Sequence, residues 1–313
     1  MGTADKLTIF KHVLSKQVIC KEIELCSTRH PQWQIPSASV LNRRGINFTL
    51  PPGARRLIAA GDFKGRTNDT LVRWLEADED LSARLLKWCN SPLFNMSRPY
   101  RTLAEAEKVM EHDELARLAV VTFTRQLFLP NLKVDLFERS TLWSHSMSVA
   151  AVASMISRSS GSGDPGLIFI AGAMHDIGIC ASQRLGPDCF RAVIAQVDDF
   201  SPTHAVEREL LGWDHCQLGE AILKQWGLSE DIQAVARYHH DADDQLDSPH
   251  AEAICCVAIA NYLCSRSGRA SITSNNLDPP SNAVFQRLNI DGGLLTILGQ
   301  QLYAALNSAG ELV

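Results

Sequence analysis

Six residues in the second half of the chain carry most of the chemistry its side chains offer: His145, His175, Asp176, His215, His239 and His240. They fall on stretches with helical apolar spacing, at stretch ends or on faces suited to burial, so packed helices would bring them together. The sharpest pair is His175-Asp176, on the run from Leu167 to Cys180, which is apolar on nearly all sides and reads as a buried central helix. An imidazole and a carboxylate taken out of water are costly unless they pair with each other or meet a cation. Imidazole with carboxylate suits Zn, Fe, Mn or Ni, and the lack of thiolate disfavours a structural zinc cage. Two readings stay open on the residues alone: a metal centre, or a helical bundle whose polar groups satisfy one another.

The elements that must position these residues all read as helices. Asp135 to Arg158 carries His145, and Ser/Gly/Pro residues 161–166 turn the chain into the apolar run. His204 to Leu211 ends at Gly212; Asp214 caps His215 to Trp226, which Gly227 ends. Ser229 caps a helix running to His239-His240, and His250 to Arg266 is an apolar helix holding Asn261. A polar loop, 267–281, precedes a last helix capped by Asp291. Upstream, the spacing of Leu7, Phe10, Leu14 and Val18 predicts an amphipathic helix, followed by a proline-broken linker. A helix opening at Leu57-Ile58 follows, then one capped by Asn68 or Asp69. Asp80 precedes a third, with Leu81, Leu85 and Trp88 as its buried stripe. A long helix from Leu103 to Leu129 breaks near His112-Asp113, with Val109 among its packing residues. The expected division is 1–44 helix and linker, 45–130 N-terminal helical lobe, 131–266 second lobe, and 267–313 loop and terminal helix. No strand-like alternation of useful length is present.

Composition excludes little. The 313 residues are 45% hydrophobic and 21% charged, ordinary for a globular chain. A formal net charge of -5 and a pI near 6.1 give no reason to expect a nucleic-acid partner. No leader is expected in the first residues, no run reaches the roughly 18 apolar residues of a membrane span, and Lys6 breaks a myristoylation motif. Nine cysteines with no CxxC pair read as free thiols, hence a cytoplasmic protein.

In order along the chain, Trp143-Ser144-His145-Ser146, His175-Asp176-Ile177-Gly178, Asp214-His215-Cys216-Gln217-Leu218-Gly219, Gln225-Trp226-Gly227-Leu228 and Tyr238-His239-His240 resemble the HDOD family, HD-related output domains of bacterial signalling proteins. The runs Leu81–Asn95 and Arg101–Ala106 resemble that family's N-terminal helical part, so the resemblance covers roughly residues 45–265. It implies an all-α fold in two helical lobes, the C-terminal one HD-domain-like. In related HD phosphohydrolases the positions matching His145, His175 and Asp176 bind metal. His215, His239 and His240 match the additional histidines of HD-GYP phosphodiesterases, where a metal-bound water attacks phosphorus.

Three departures shape the functional expectation. Asn261 stands where the superfamily's last ligand is an Asp, which removes a negative charge. Ile179 stands where catalytic HD-GYP enzymes have Lys, and no GYP follows His240. Phosphate needs cations or helix N-termini around it, and the basic candidates nearest in sequence are Arg184 and Arg237. The expectation is therefore a non-catalytic signalling module that holds a metal through His145, His175, Asp176, His215, His239, His240 and Asn261 and acts on a protein partner. A metal-dependent phosphohydrolase is the alternative.

Overall fold

The computed structural model describes residues 53–55, 68–90, 98–110, 112–128, 133–134, 137–197, 201–272 and 277–311. The sequence-predicted helix and linker of residues 1–44 and the helix opening at Leu57-Ile58 lie outside the described residues. The rest is helical, as the apolar periodicity implied. The N-terminal helices are α1 (Asn68–Glu76), α2 (Glu79–Cys89), α3 (Leu103–Glu107) and α4 (His112–Phe128). Asp78, rather than Asp80, caps α2: its side chain accepts from the Leu81 N–H at 3.0 Å. Leu81, Leu85 and Trp88 are buried as their spacing implied, whereas Val109 lies in the turn between α3 and α4 and is 74% exposed. The expected long helix is thus two, one ending at Glu107 and the next starting at His112, so the break expected near His112-Asp113 falls just ahead of those residues.

A two-residue antiparallel pairing, β1 (Lys133–Val134) with β2 (Phe137–Glu138), precedes α5 (Arg139–Ser160), so the helix expected from Asp135 begins later. α5 is the central helix and packs against α6 (Pro165–Met174), α12 (Ala251–Arg266) and α14 (Gly292–Glu311). Its contact with α6 is close because position 172 is glycine: a Cβ there would sit 2.8 Å from the Ala150 Cα. The other elements are α7 (Ile177–Leu185), α8 (Pro187–Ile194), α9 (Thr203–Leu211), α10 (His215–Gln225), α11 (Glu230–Tyr238) and α13 (Asn282–Arg287). α13 falls just after the stretch read as loop. Gly212 ends α9 with φ of 77°, the left-handed conformation that glycine adopts without strain.

The apolar run 167–180 is not one helix. α6 stops at Met174, His175-Asp176 occupies the joint, and α7 restarts at Ile177. Pro165–Leu185 is long and apolar enough by composition to cross a bilayer, but 83% of its most apolar window is buried among the other helices. Apolar burial on this scale, worth about 1.5–3 kcal/mol for each large side chain, makes this joint a firmly held platform. One contiguous apolar core runs from the N-terminal helices through α14. Cys180, Cys216, Cys255, Cys256 and Cys264 are free thiols and buried, whereas Cys189 is disulfide-bonded, against the expectation that all thiols are free.

Candidate metal centre

Five of the seven residues expected at the site meet around one carboxylate. His145 comes from α5, His175 and Asp176 from the α6–α7 joint, His215 from the first residue of α10, and His239 from the C-terminal cap of α11. All five are at most 3% exposed. His145 Nε2 and His175 Nε2 lie 3.6 and 3.3 Å from Asp176 Oδ2, and His215 Nε2 and His239 Nε2 each lie 3.5 Å from Oδ1. Asp176 occupies the N-cap of α7, where an Asp ordinarily accepts from the helix N–H groups, yet its side chain makes no such bond. Its oxygens are turned to the histidines instead.

Two glycines make that convergence feasible. A Cβ at Gly178 would meet the His215 carbonyl oxygen at 1.9 Å, so α7 and α10 approach backbone to backbone and set Asp176 beside His215. Gly172 does the same for α6 and α5, which carry His175 and His145. The Gly in His175-Asp-Ile-Gly178 is thus explained by packing.

The hydrogen bonds on the far side of each ring fix its tautomer. His145 Nδ1 donates to the Arg269 carbonyl at 2.5 Å and His175 Nδ1 to the Gly172 carbonyl at 2.7 Å. His239 Nδ1 faces the Val235 and Ala236 carbonyls at 3.2 and 3.1 Å, and His215 Nδ1 lies 2.6 Å from Glu207 Oε2. Carbonyls and carboxylates only accept, so every Nδ1 carries the hydrogen, and in the neutral ring every Nε2 is a bare lone pair. His145 Nε2 and His175 Nε2 stand 3.3 Å apart, and the buried Nε2 atoms of His215 and His239 have no hydrogen-bond partner. Four Nε2 atoms and two carboxylate oxygens therefore converge, and with the rings neutral there is no donor among them.

Electrostatics agree. Burial, followed by His175, pushes the His145 pKa down to about 4, and burial also lowers His239, so these two rings are neutral at pH 7. Burial alone would raise Asp176, but the imidazoles of His175, His239 and His215 outweigh it and hold the carboxyl well below its ordinary value. Burial opposes the charge on His215 too, and Cys216 and Glu207 outweigh it, raising that ring above the usual histidine value. A donor set of bare imidazole nitrogens plus carboxylate, each ring oriented from behind by a second bond, fits a divalent transition metal. A cavity of about 30 Å³ reaches Asp176, His215, His240 and Asn261, room for an ion or a water or two.

The remaining expected residues lie beside this cluster. His240 stacks on His204 with ring centroids 4.3 Å apart and lies against His239 at 4.1 Å. It lines a larger cavity of about 660 Å³ together with His204, His239, Asn261, Tyr262 and Arg266. Asn261 borders both cavities. The sequence reading missed Glu207, fully buried behind His215; Cys216, which lies with His215, His239 and His240 as a second group able to hold an ion; and His204. Of the basic candidates nearest in sequence, Arg184 donates to the Leu127 carbonyl at 3.0 Å and Arg237 pairs with Glu220 at 3.6 Å, while Arg266 stands on the wall of the larger cavity.

Fold and site together define an all-α protein with an HD-type histidine–aspartate centre. The chain belongs to the HDOD domain family, whose model matches residues 48–242. A protein of Treponema pallidum (strain Nichols) is 25% identical over 257 residues, 79% of this chain, and the chain spans 47% of that relative's length. An HDOD domain protein of unknown function from Geobacter sulfurreducens has a similar fold, with TM-score 0.68, 24% identity, and 85% of this chain and 93% of that one covered. So has a protein of Shewanella amazonensis SB2B that carries a phosphohydrolase name, with TM-score 0.68, 19% identity and coverage of 90% and 100%. A protein of Marinobacter aquaeolei VT8 that carries a signal-transduction name has TM-score 0.63, 21% identity and coverage of 84% and 59%.

Proposed function

We propose that this chain is an HDOD signalling module whose C-terminal helices are organised around a divalent transition metal, and that it acts by contacting a protein partner rather than by turnover. The observation that carries the metal is the convergence of four buried Nε2 atoms on Asp176, each ring held from behind at Nδ1. His145, His175, Asp176, His215 and His239 would hold the ion, with Asn261 and His240 at the edge. When bound, it would supply a cross-link among α5, the α6–α7 joint, α10 and α11. The residues that would handle a phosphate ester support the non-catalytic half. Ile179, in place of a lysine, is 1% exposed, and Arg184 and Arg237 are engaged elsewhere.

Metal analysis of protein purified without chelator tests this. Stoichiometric Fe, Zn, Mn or Ni is expected, and it should vanish from the His175→Ala, Asp176→Ala double variant. A folded wild-type protein that takes up none of the four metals, even when each is added, sinks the reading. The second reading, a metal-dependent phosphohydrolase, is favoured by one feature: Arg266 on the wall of the large cavity beside His239 and His240. Turnover of a phosphoester panel by the metal-loaded protein, abolished by Arg266→Ala, would establish it instead.

A further inference from the structure

A second buried polar cluster lies on the same two helices as the histidine site and has the opposite composition. Arg139, the first residue of α5, is 0% exposed. Its Nε donates to the side-chain oxygen of Gln183 in the last turn of α7. Its other two nitrogens, NH1 and NH2, are buried and have no hydrogen-bond partner, and neither has Gln183 Nε2. Trp143 and Ser146 follow Arg139 at i+4 and i+7, the same face of α5, and the buried Trp143 Nε1 and Ser146 Oγ are likewise unpartnered. Among the described residues no carboxylate pairs with Arg139, although elsewhere the chain pairs its arginines: Arg208 with Asp214 and Asp241, Arg287 with Glu252.

The neighbours of Arg139 add positive charge. Arg184, next to Gln183, is a second guanidinium acting on it. Cys180 is the acidic group acting on Arg139, and burial pushes its thiol up to about 12, so it carries no charge at pH 7. A guanidinium does not lose its proton to escape burial. Buried donors that have given up water need an acceptor, and a cation needs an anion.

We infer that Arg139 and Gln183 form a buried binding site for a small oxyanion, of the carboxylate or phosphate class, between the start of α5 and the end of α7. With Nε taken by Gln183, the fork of NH1 and NH2 is the free edge of the guanidinium, and it matches two oxygens of one oxyanion. Gln183 Nε2 is a third unpartnered donor, on the side chain whose oxygen holds the Arg139 Nε.

The test is thermal unfolding of the full chain in acetate, in inorganic phosphate and in chloride, at equal ionic strength and pH. A saturable rise in Tm in acetate or phosphate over chloride is expected, about 5 °C at a hundredfold excess over Kd. The oxyanion that produces it identifies the class. Arg139→Met and Gln183→Leu should abolish the rise. Should Arg139→Met fail to fold, Arg139→Lys keeps the charge without the fork and should lose most of the response. Equal Tm in the three salts overturns the inference, as does a rise that survives in Arg139→Lys and Gln183→Leu. So does an Arg139→Met protein more stable than wild type in every salt, since the arginine would then be an uncompensated burden.

Discussion

The two buried polar clusters share helices and differ in sign. His145 and Arg139 sit two turns apart on α5; Asp176 and Gln183 sit at opposite ends of α7. Around Asp176 every inward-facing atom is an acceptor once the rings are neutral, and around Arg139 every unpartnered atom is a donor, apart from the hydroxyl of Ser146. Asp214 shows what a self-sufficient buried carboxylate looks like in this chain. It caps α10 in a reciprocal box with Gln217 and pairs with Arg208, so nothing further is needed to satisfy it. A cluster made of one kind of hydrogen-bonding group cannot satisfy itself, and its sign says which kind of partner must come from outside the chain.

The largest effect should come from the packing that holds the acceptor cluster together. Gly178→Ala would drive a Cβ into the His215 carbonyl, a backbone atom with no room to retreat. A loss of about 3 kcal/mol is expected in denaturant unfolding, with metal content falling alongside. A neutral Gly178→Ala would mean that α7 and α10 are not locked at this crossing.

Asp176→Asn separates the clusters' logic more finely, because its effect can be read both with and without metal. The amide keeps the shape of the carboxylate but removes the charge, so metal affinity should fall by more than about 100-fold, measured by competition with a chelator. In metal-free protein the imidazoles that hold the Asp176 carboxyl low lose their anion, so stability at pH 7 should fall, by about 1 kcal/mol or more. Unchanged or higher stability without metal would mean that the rings gain nothing from the carboxylate.

The contrast also explains what the sequence could and could not disclose. His215 and His239 were legible because each sits at a helix end that follows from caps and glycines local in sequence, and His145, His175 and Asp176 because their short runs resemble the family's motifs. The break at His175-Asp176 was not, since an apolar run gives no periodic cue to where a buried helix stops. Glu207 was hidden for a different reason: in Thr203–Leu211 it reads as one more charge on a surface helix, and only the packing of α9 against α10 buries it behind His215. Arg139 was hidden likewise, as an ordinary basic residue at the start of a helix. Nothing local distinguishes a buried arginine without a counter-ion from a solvated one.

Glu207→Gln tests whether the residue behind His215 matters to the site. Glu207 Oε2 accepts from both the backbone N–H and Nδ1 of His215, at 2.8 and 2.6 Å. An amide there would no longer raise the basicity of the ring, and it could present an N–H to the wrong face. Metal affinity should fall about 10- to 100-fold, less than for Asp176→Asn, with the helical content by circular dichroism unchanged. An undiminished affinity would make Glu207 a packing residue only.

The smallest change is expected at Asn261, and its direction is the informative part. Asn261 borders the small cavity that reaches Asp176 and His215, and its side-chain oxygen lies 3.5 Å from the Ser265 hydroxyl that donates to it. A carboxylate here would add a negative charge to the rim of a donor set that already includes Asp176. With the metal bound, the added charge is favourable, and affinity should rise about three- to tenfold, or about 0.7–1.4 kcal/mol. Without metal the same carboxylate is 4% exposed and faces Asp176 across the cavity, so the metal-free Asn261→Asp protein should be less stable than wild type. Tighter metal binding together with a weaker metal-free fold would place Asn261 within reach of the ion. A loss of stability with unchanged affinity would place it on the wall of the outer cavity alone.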